Sequence, residues 1–272
     1  MTTRSTFSRI GLLAAVLLGA GNAASAETLR VGGVGAAMAM LPPLFASFDR
    51  GEETKLEVIP SLGSNGGLRA LSEGVLGMAV SGRVLNPEEL AQGMTQGAAM
   101  RTPFVLVTSH ANPNGLKSSE IADVFKSANA KWADGTPIRI ILRPKSDSDT
   151  AIMGALFPDM AAAIEKARQR PDLSLAATDQ DNADLAQRTP GSLTGSTLTQ
   201  VKMEKRNLRF VAIDGVEPSM ENLERRAYPF AKTLYFVLSA KKNPAAERFV
   251  AFLRTPAGQA ALLATGNMLV AN

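Results

Sequence analysis

Ile138-Arg139-Ile140-Ile141-Leu142 runs directly into Arg143-Pro144-Lys145-Ser146-Asp147-Ser148-Asp149-Thr150. A short β-branched segment thus breaks into a hydroxyl-rich turn, and helical periodicity follows over Thr150–Phe157 and Met160–Gln169. The same grammar occurs twice upstream. The strand Thr28–Val31 ends in Gly32-Gly33-Val34-Gly35-Ala36-Ala37 before a helix predicted over Ala39–Asp49. The strand Leu56–Pro60 ends in Ser61-Leu62-Gly63-Ser64-Asn65-Gly66-Gly67 before a short helix over Leu68–Gly74. Val75–Val80 is expected to extend again and Pro87–Gly93 to turn helical. Strands alternating with helices at this spacing predict βαβ units and a largely parallel sheet.

Two long apolar runs interrupt the alternation, Thr102–Ser109 (TPFVLVTS) and Ala231–Ala240 (AKTLYFVLSA). After the first, the pattern restarts with a helix over Ser118–Ala128; after the second come two helices, Pro244–Arg254 and Ala257–Thr265. The simplest organisation is α/β, with two Rossmann-like lobes joined by two hinge strands. It places a first lobe at 27–105, a second at 106–230, and a return strand with C-terminal helices on the first lobe at 231–272. The mixed run Lys202-Met203-Glu204-Lys205-Arg206 reads as a solvated connection.

Residues 1–26 read as a secretory signal peptide. Arg4 and Arg9 form a basic start, Ile10–Ala20 an apolar stretch, and Ala24-Ser25-Ala26 a cleavage site before Glu27. Eleven apolar residues fall short of the roughly 20 that span a bilayer. The formal charge of +4 falls to +2 without this segment, because its two arginines are unmatched by any acid. No basic cluster interleaved with aromatics remains, so nucleic acid is not an expected partner. The chain has no cysteine and one histidine, His110. Thiolate chemistry, Cys-ligated metals and multi-histidine metal sites are therefore excluded. A Ser–His–acid triad would have to use His110, which has no obvious acid partner in sequence and reads as the cap of a hinge strand. No cofactor and no enzymatic activity are expected.

The three junctions suggest where a ligand would bind. The first N–H groups of a helix lack internal partners, and the macrodipole makes that end partially positive. Glycine admits a ligand close to the backbone, and serine or threonine hydroxyls add donors. Ligands of open α/β sheets bind outside the carboxyl ends of the strands. Serine and aspartate at a helix start are also ordinary caps, but three such junctions split over two lobes favour a ligand between them. Arg143 adds a planar fork of donors suited to an oxyanion. Met38 and Met40 read as core filler or cleft wall.

In order and spacing, the chain resembles the periplasmic phosphate-binding proteins of ABC transporters, which have the type II periplasmic-binding fold. The likeness is carried by the Gly63–Gly67 loop, the Ala79-Val80-Ser81 strand end and GLKSSEIADVFKSANAKW at 115–132. It continues through the Arg143–Thr150 loop, TPGSLTG at 189–195 and FVAFLRTPAGQAALLATG at 249–266. The resemblance implies a monomeric periplasmic carrier, cleaved after Ala26, that takes phosphate or a related small anionic ligand to an inner-membrane ABC permease. A different small ligand, or a sensor or adaptor with an altered pocket, is the alternative. Carried over by position, Ser64 would supply its hydroxyl and N–H, Ala37 and Met38 backbone amides, Ser81 the end of its strand, and Arg143, Ser148, Asp149 and Thr150 the grip from the second lobe. The first loop lacks the family's hydroxyl, so only its amides could serve, and two further positions depart from the pattern. Gly82, followed by Arg83, stands where the family has an acid that accepts the phosphate proton, and Asp149 replaces a glycine. Asp149 would repel an anion unless it points away from it, whereas Arg83 would add positive charge.

Overall fold

The computed structural model describes residues 27–49, 54–60 and 62–270, so the signal-peptide reading and Ser61 lie outside it. The chain opens with β1 (Glu27–Gly33), α1 (Gly35–Met38), α2 (Leu41–Phe48), β2 (Thr54–Ile59), α3 (Gly63–Ser72), β3 (Met78–Ser81) and α4 (Pro87–Ala91). The long strand β4 (Thr95–Thr108) leads to α5 (Ile121–Lys126), β5 (Arg139–Leu142), α6 (Ser148–Leu156), α7 (Met160–Ala167) and β6 (Ser174–Leu175). Then come α8 (Asp179–Arg188), β7 (Ser192–Thr197), α9 (Leu198–Met203), β8 (Arg209–Phe210) and α10 (Met220–Glu224). The last elements are β9 (Ala231–Leu238), α11 (Pro244–Leu253), α12 (Pro256–Ala264) and β10 (Met268–Leu269).

The strands lie in the order β2-β1-β3-β9-β4-β7-β5-β6. Within each end of this order the pairing is parallel: β1 with β2 and β3, and β5 with β6 and β7. These are the two βαβ units expected from the alternation. The middle is antiparallel, because β4 and β9 are the connections that cross from one lobe to the other. Residues 95–103 of β4 pair with β9 in the first lobe, and 104–107 pair with β7 in the second. At the changeover the Phe104 N–H donates to the Phe230 carbonyl at 3.1 Å.

The apolar runs are continuous because both faces of the second-lobe sheet are buried. Phe104 and Leu106 of β4 enter a core with Phe125, Ile140, Leu142, Met160 and Tyr228. Val105 and Val107 enter the core on the opposite face with Ile141, Ala183, Ala186 and Val201. This is the period-two alternation of a strand. In the first lobe, β1 supplies Leu29 and Val31 to a core closed by α2 and α11, where Phe45 and Phe249 stack with centroids 5.3 Å apart. The opposite face is covered by Leu68 and Leu71 of α3.

Several elements differ from the sequence expectation. The helix predicted over Ala39–Asp49 is α2, opened by Pro42 and Pro43 where a missing N–H costs nothing, and the junction before it forms the additional short helix α1. The glycine-rich loop at 63–67 is itself the first part of α3. Gly67 lets that helix lie on β1, since a Cβ there would stand 2.7 Å from the Gly33 Cα. The extended segment expected from Val75 begins only at Met78, after a turn in which Gly74 takes a φ of +74°. The segment around Lys202 is not a simple solvated connection. Lys202 and Met203 end α9, and Arg206 is held by Asp184 and by Glu204 at 2.6 Å.

Candidate functional site

The three strand-to-helix junctions meet. A cavity of about 380 Å³ between the lobes is lined by Gly35 at the start of α1, Gly63 and Ser64 at the start of α3, and the 143–148 segment that starts α6. Arg83 and the head of α8 complete its wall. The junctions share one cavity because each lies at the carboxyl end of a parallel strand, and the two lobes turn those ends toward each other.

The first-lobe wall is made of backbone and hydroxyls. Ser64 is buried, and its Oγ accepts the Gly82 N–H at 2.9 Å. The N-cap of α3 is Leu62, which has no side-chain acceptor, so the helix opens onto the cavity without a side-chain cap. Ser81 is fully buried and engaged locally: its Oγ donates to the Arg83 carbonyl at 2.8 Å and accepts the Arg83 N–H at 3.2 Å. Arg83 reaches the cavity but not as a free cation. It forks onto both Glu89 oxygens at 2.9 and 2.7 Å, and its Nε donates to Asn65 at 3.0 Å. The hydrogen bonds and charge of Arg83 hold the Glu89 carboxyl below the usual carboxylate range. Ala37 and Met38 are buried in the first-lobe core, and of that loop it is Gly35 that lines the cavity.

The second-lobe wall is charged and largely satisfied from within. Arg143 is 6% exposed and lines the cavity. It donates to the Ala176 carbonyl at 2.7 Å and to Asp147 at 2.7 Å, with Asp179 at 3.7 Å, while its buried Nε has no hydrogen-bond partner. Asp147 is also the N-cap of α6, accepting the Asp149 N–H at 2.8 Å. Ser148 faces the first lobe, its Oγ 3.5 Å from that of Ser64. Asp149 points away from the cavity lined by Ser148 and is buried against Lys232 of β9, with which it forms an ion pair. Burial pushes the Asp149 carboxyl up to about 6, partly offset by the attraction of Lys232, and the carboxylates of Asp179 and Asp147 add to the rise. Despite burial, which opposes it, Asp149 first and then Asp179 and Asp147 raise the Lys232 ammonium above its ordinary value. The Thr150 hydroxyl is spent on the strand end, donating to the Pro144 carbonyl at 2.9 Å.

Of the residues singled out in sequence, Ser64, Arg143 and Ser148 therefore come together at the cavity. Asp149 lies behind it, Thr150 and Ser81 brace the loops, and Ala37 and Met38 pack beneath. His110 stacks on Trp132 at 5.2 Å with Asp134 at 3.6 Å, so it does have an acid neighbour, but none of the three lines the cavity.

Two residues had not been singled out. Asp179 begins α8 and contacts both walls, its Oδ2 accepting the Ala36 N–H at 3.0 Å. Its sequence signal is the capping box Thr178-x-x-Asp181, which marks a fourth helix start. Lys232 is a lone charge in the apolar run AKTLYFVL, and such a charge is buried only when paired. Among the described residues, no group of three or more His, Asp or Glu residues is placed to hold a metal ion. Nor is any helix among them long and apolar enough to cross a membrane.

A family model described as a PBP superfamily domain matches residues 19–256. No curated protein matches the sequence. Among solved structures, a phosphate ABC transporter substrate-binding protein of Clostridium perfringens with bound phosphate is similar, with a TM-score of 0.74 and 17% identity over 90% of this chain and 100% of that one. A high-affinity periplasmic phosphate-binding protein bound with phosphate has a TM-score of 0.67 and 13% identity over 89% and 90%. The effector-binding domain of QuiR in complex with shikimate has a TM-score of 0.57 and 13% identity over 84% and 95%.

Proposed function

The chain belongs to the PBP superfamily, and on that premise we propose that it is an exported, periplasmic substrate-binding protein that closes two lobes around a small oxyanion. Phosphate is the first candidate, a related oxyanion or small acidic molecule the second, and an inner-membrane ABC permease the recipient. The observation that carries this reading is the convergence of the α3 start, Ser64, Ser148 and Arg143 on one cavity between the lobes. Ser64 and the uncapped amides of α3 would bind the anion from the first lobe; Arg143 and Ser148 would bind it from the second. A ligand that contacts both walls favours the closed arrangement, because its full set of contacts exists only there.

Thermal-shift titration with phosphate, sulfate, phosphonates and small carboxylates such as shikimate tests the assignment. A ligand at 100 times its Kd stabilises by about 2.7 kcal/mol, a readable shift. Arg143→Ala and Ser64→Ala should abolish or strongly weaken the response, whereas His110→Ala should leave it intact. Absence of a response to every anion would sink the reading. Asp147 and Asp179 support a second one, a ligand with a cationic group, because both line the cavity beside Arg143. An amino-acid arm of the same screen distinguishes the two.

A further inference from the structure

We propose that Asp179 is a tethered substitute for the ligand: its carboxylate sits in the anion's place, holds the two walls of the cleft together, and competes with any anion that enters. The claim of competition rests on the anion reading above; the claim of closure does not. Asp179 belongs to α8, which packs in the second-lobe core through Ala183 and Ala186. Its carboxylate nevertheless reaches the first lobe. One oxygen accepts the Ala36 N–H at 3.0 Å while the other stands 3.7 Å from the Arg143 guanidinium. A backbone N–H from one lobe and an arginine from the other are the partners a bound oxyanion would need, and here a side chain of the protein supplies the negative charge.

The surrounding contacts fit a docked state. Gln180, the next residue, donates from Nε2 to the Gly35 carbonyl across the same gap at 3.1 Å. Gly35 leaves room for this approach, since a Cβ there would lie 2.5 Å from the Gln180 Oε1 and 2.8 Å from the Asp179 Oδ2 and would push both side-chain ends aside. Gly82 plays the same part on the other side, where a Cβ would lie 2.8 Å from the Ser148 Oγ. Ser64 and Ser148, the hydroxyls expected to flank an anion, are only 3.5 Å apart, so the two walls already touch beside the cavity. An anion that takes the Ala36 N–H and the Arg143 guanidinium has to displace Asp179, and its apparent affinity is lowered by the fraction of protein held closed.

The chain has no cysteine, so spin labels at Glu88→Cys and Lys166→Cys, exposed positions on α4 and α7, report the separation across the cleft. Ligand-free protein with Asp179 should give one short distance by electron–electron resonance. Asp179→Ala should shift the population to longer distances, and Asp179→Asn, which keeps an acceptor but loses the charge, should do so partially. Gly35→Ala, acting from the opposite lobe, should also open the cleft. Phosphate should bind Asp179→Ala at least tenfold more tightly than the unsubstituted protein and restore the short distance. Unchanged distances in both Asp179→Ala and Gly35→Ala overturn the latch, and phosphate affinity that is equal or weaker in Asp179→Ala overturns the competition. Opening of Asp179→Ala without phosphate or sulfate binding by either form establishes the latch and removes the anion reading instead.

Discussion

The two walls of the cleft are built on opposite principles. The first-lobe wall offers backbone and hydroxyl groups with little charge of its own: Gly35, Gly63, Ser64 and Gly82 face the second lobe, and Arg83 is already neutralised by Glu89. The second-lobe wall is dense in charge, with Arg143, Asp147 and Asp179 at the surface of the cleft and the Asp149–Lys232 pair behind. Yet its charges are mostly spent on one another. Its helix starts are capped by its own side chains, Asp147 on α6 and Thr178 on α8, whereas α3 across the gap has no side-chain cap. On the proposed oxyanion reading, the unspent donors lie on the uncharged side. On the latch proposal, the charged side sets how closely the lobes approach and what an anion must displace.

The sharpest test of this contrast is to unbalance the charged side. Lys232→Met leaves Asp149 buried without its counter-charge, and breaking a buried ion pair in this way costs about 3–5 kcal/mol. Denaturant unfolding should show that loss. The double variant Lys232→Met with Asp149→Leu should recover most of it, because an apolar pair of similar volume avoids desolvating two ions. If the single variant is as stable as the parent, the second-lobe charges are not held as tightly as their burial implies.

The same pair makes stability depend on pH, with a smaller effect. The Asp149 carboxyl is raised from 3.8 to about 6, so the folded chain holds this proton more tightly than the unfolded chain does. The resulting stabilisation is fully present below about pH 4 and is lost as pH rises through about 6. Between those values the melting temperature of Asp149→Asn should fall less with rising pH than that of the parent. Equal slopes would show that Asp149 titrates like an ordinary surface carboxylate.

What could be read from the sequence follows the same division. The strands that turn the junctions toward each other were legible, because the Ile140–Leu142 and Phe104–Val107 runs are buried on both faces and so are apolar without interruption. The helix starts were legible through glycine and hydroxyl residues, which explains why Ser64, Arg143 and Ser148 were picked out together. The pairings that occupy the charged wall were not. Lys232 and Asp149 are 83 positions apart, and Ala36 and Asp179 are 143 apart. Local periodicity carries no information about which distant charge will neutralise which. Arg83 and Glu89 are only six positions apart, but their pairing depends on the turn between β3 and α4, which the residue pattern does not specify.

The uncharged wall should respond to sterics and hydrogen bonding rather than to charge. At Gly67 a Cβ would stand 2.7 Å from the Gly33 Cα and 3.2 Å from its nitrogen, both backbone atoms that cannot swing aside. Gly67→Ala should therefore cost about 1–3 kcal/mol by overpacking, with α3 displaced from β1 and its free helix start moved out of the cleft. Ser64→Ala is the mildest change. It removes the acceptor of the Gly82 N–H, a bond of 2.9 Å, and leaves that donor buried. The expected cost is about 1–3 kcal/mol, toward the lower end because the freed donor lies at the rim of a polar cavity that water can enter. Calorimetric melting measures it. Because neither group is charged, the loss should be the same at low and high salt, whereas screening acts on pairs such as Arg83–Glu89 that remain partly exposed. A salt-dependent loss in Ser64→Ala would mean that this hydroxyl is coupled to the charges opposite, and the two walls would have to be treated as one network.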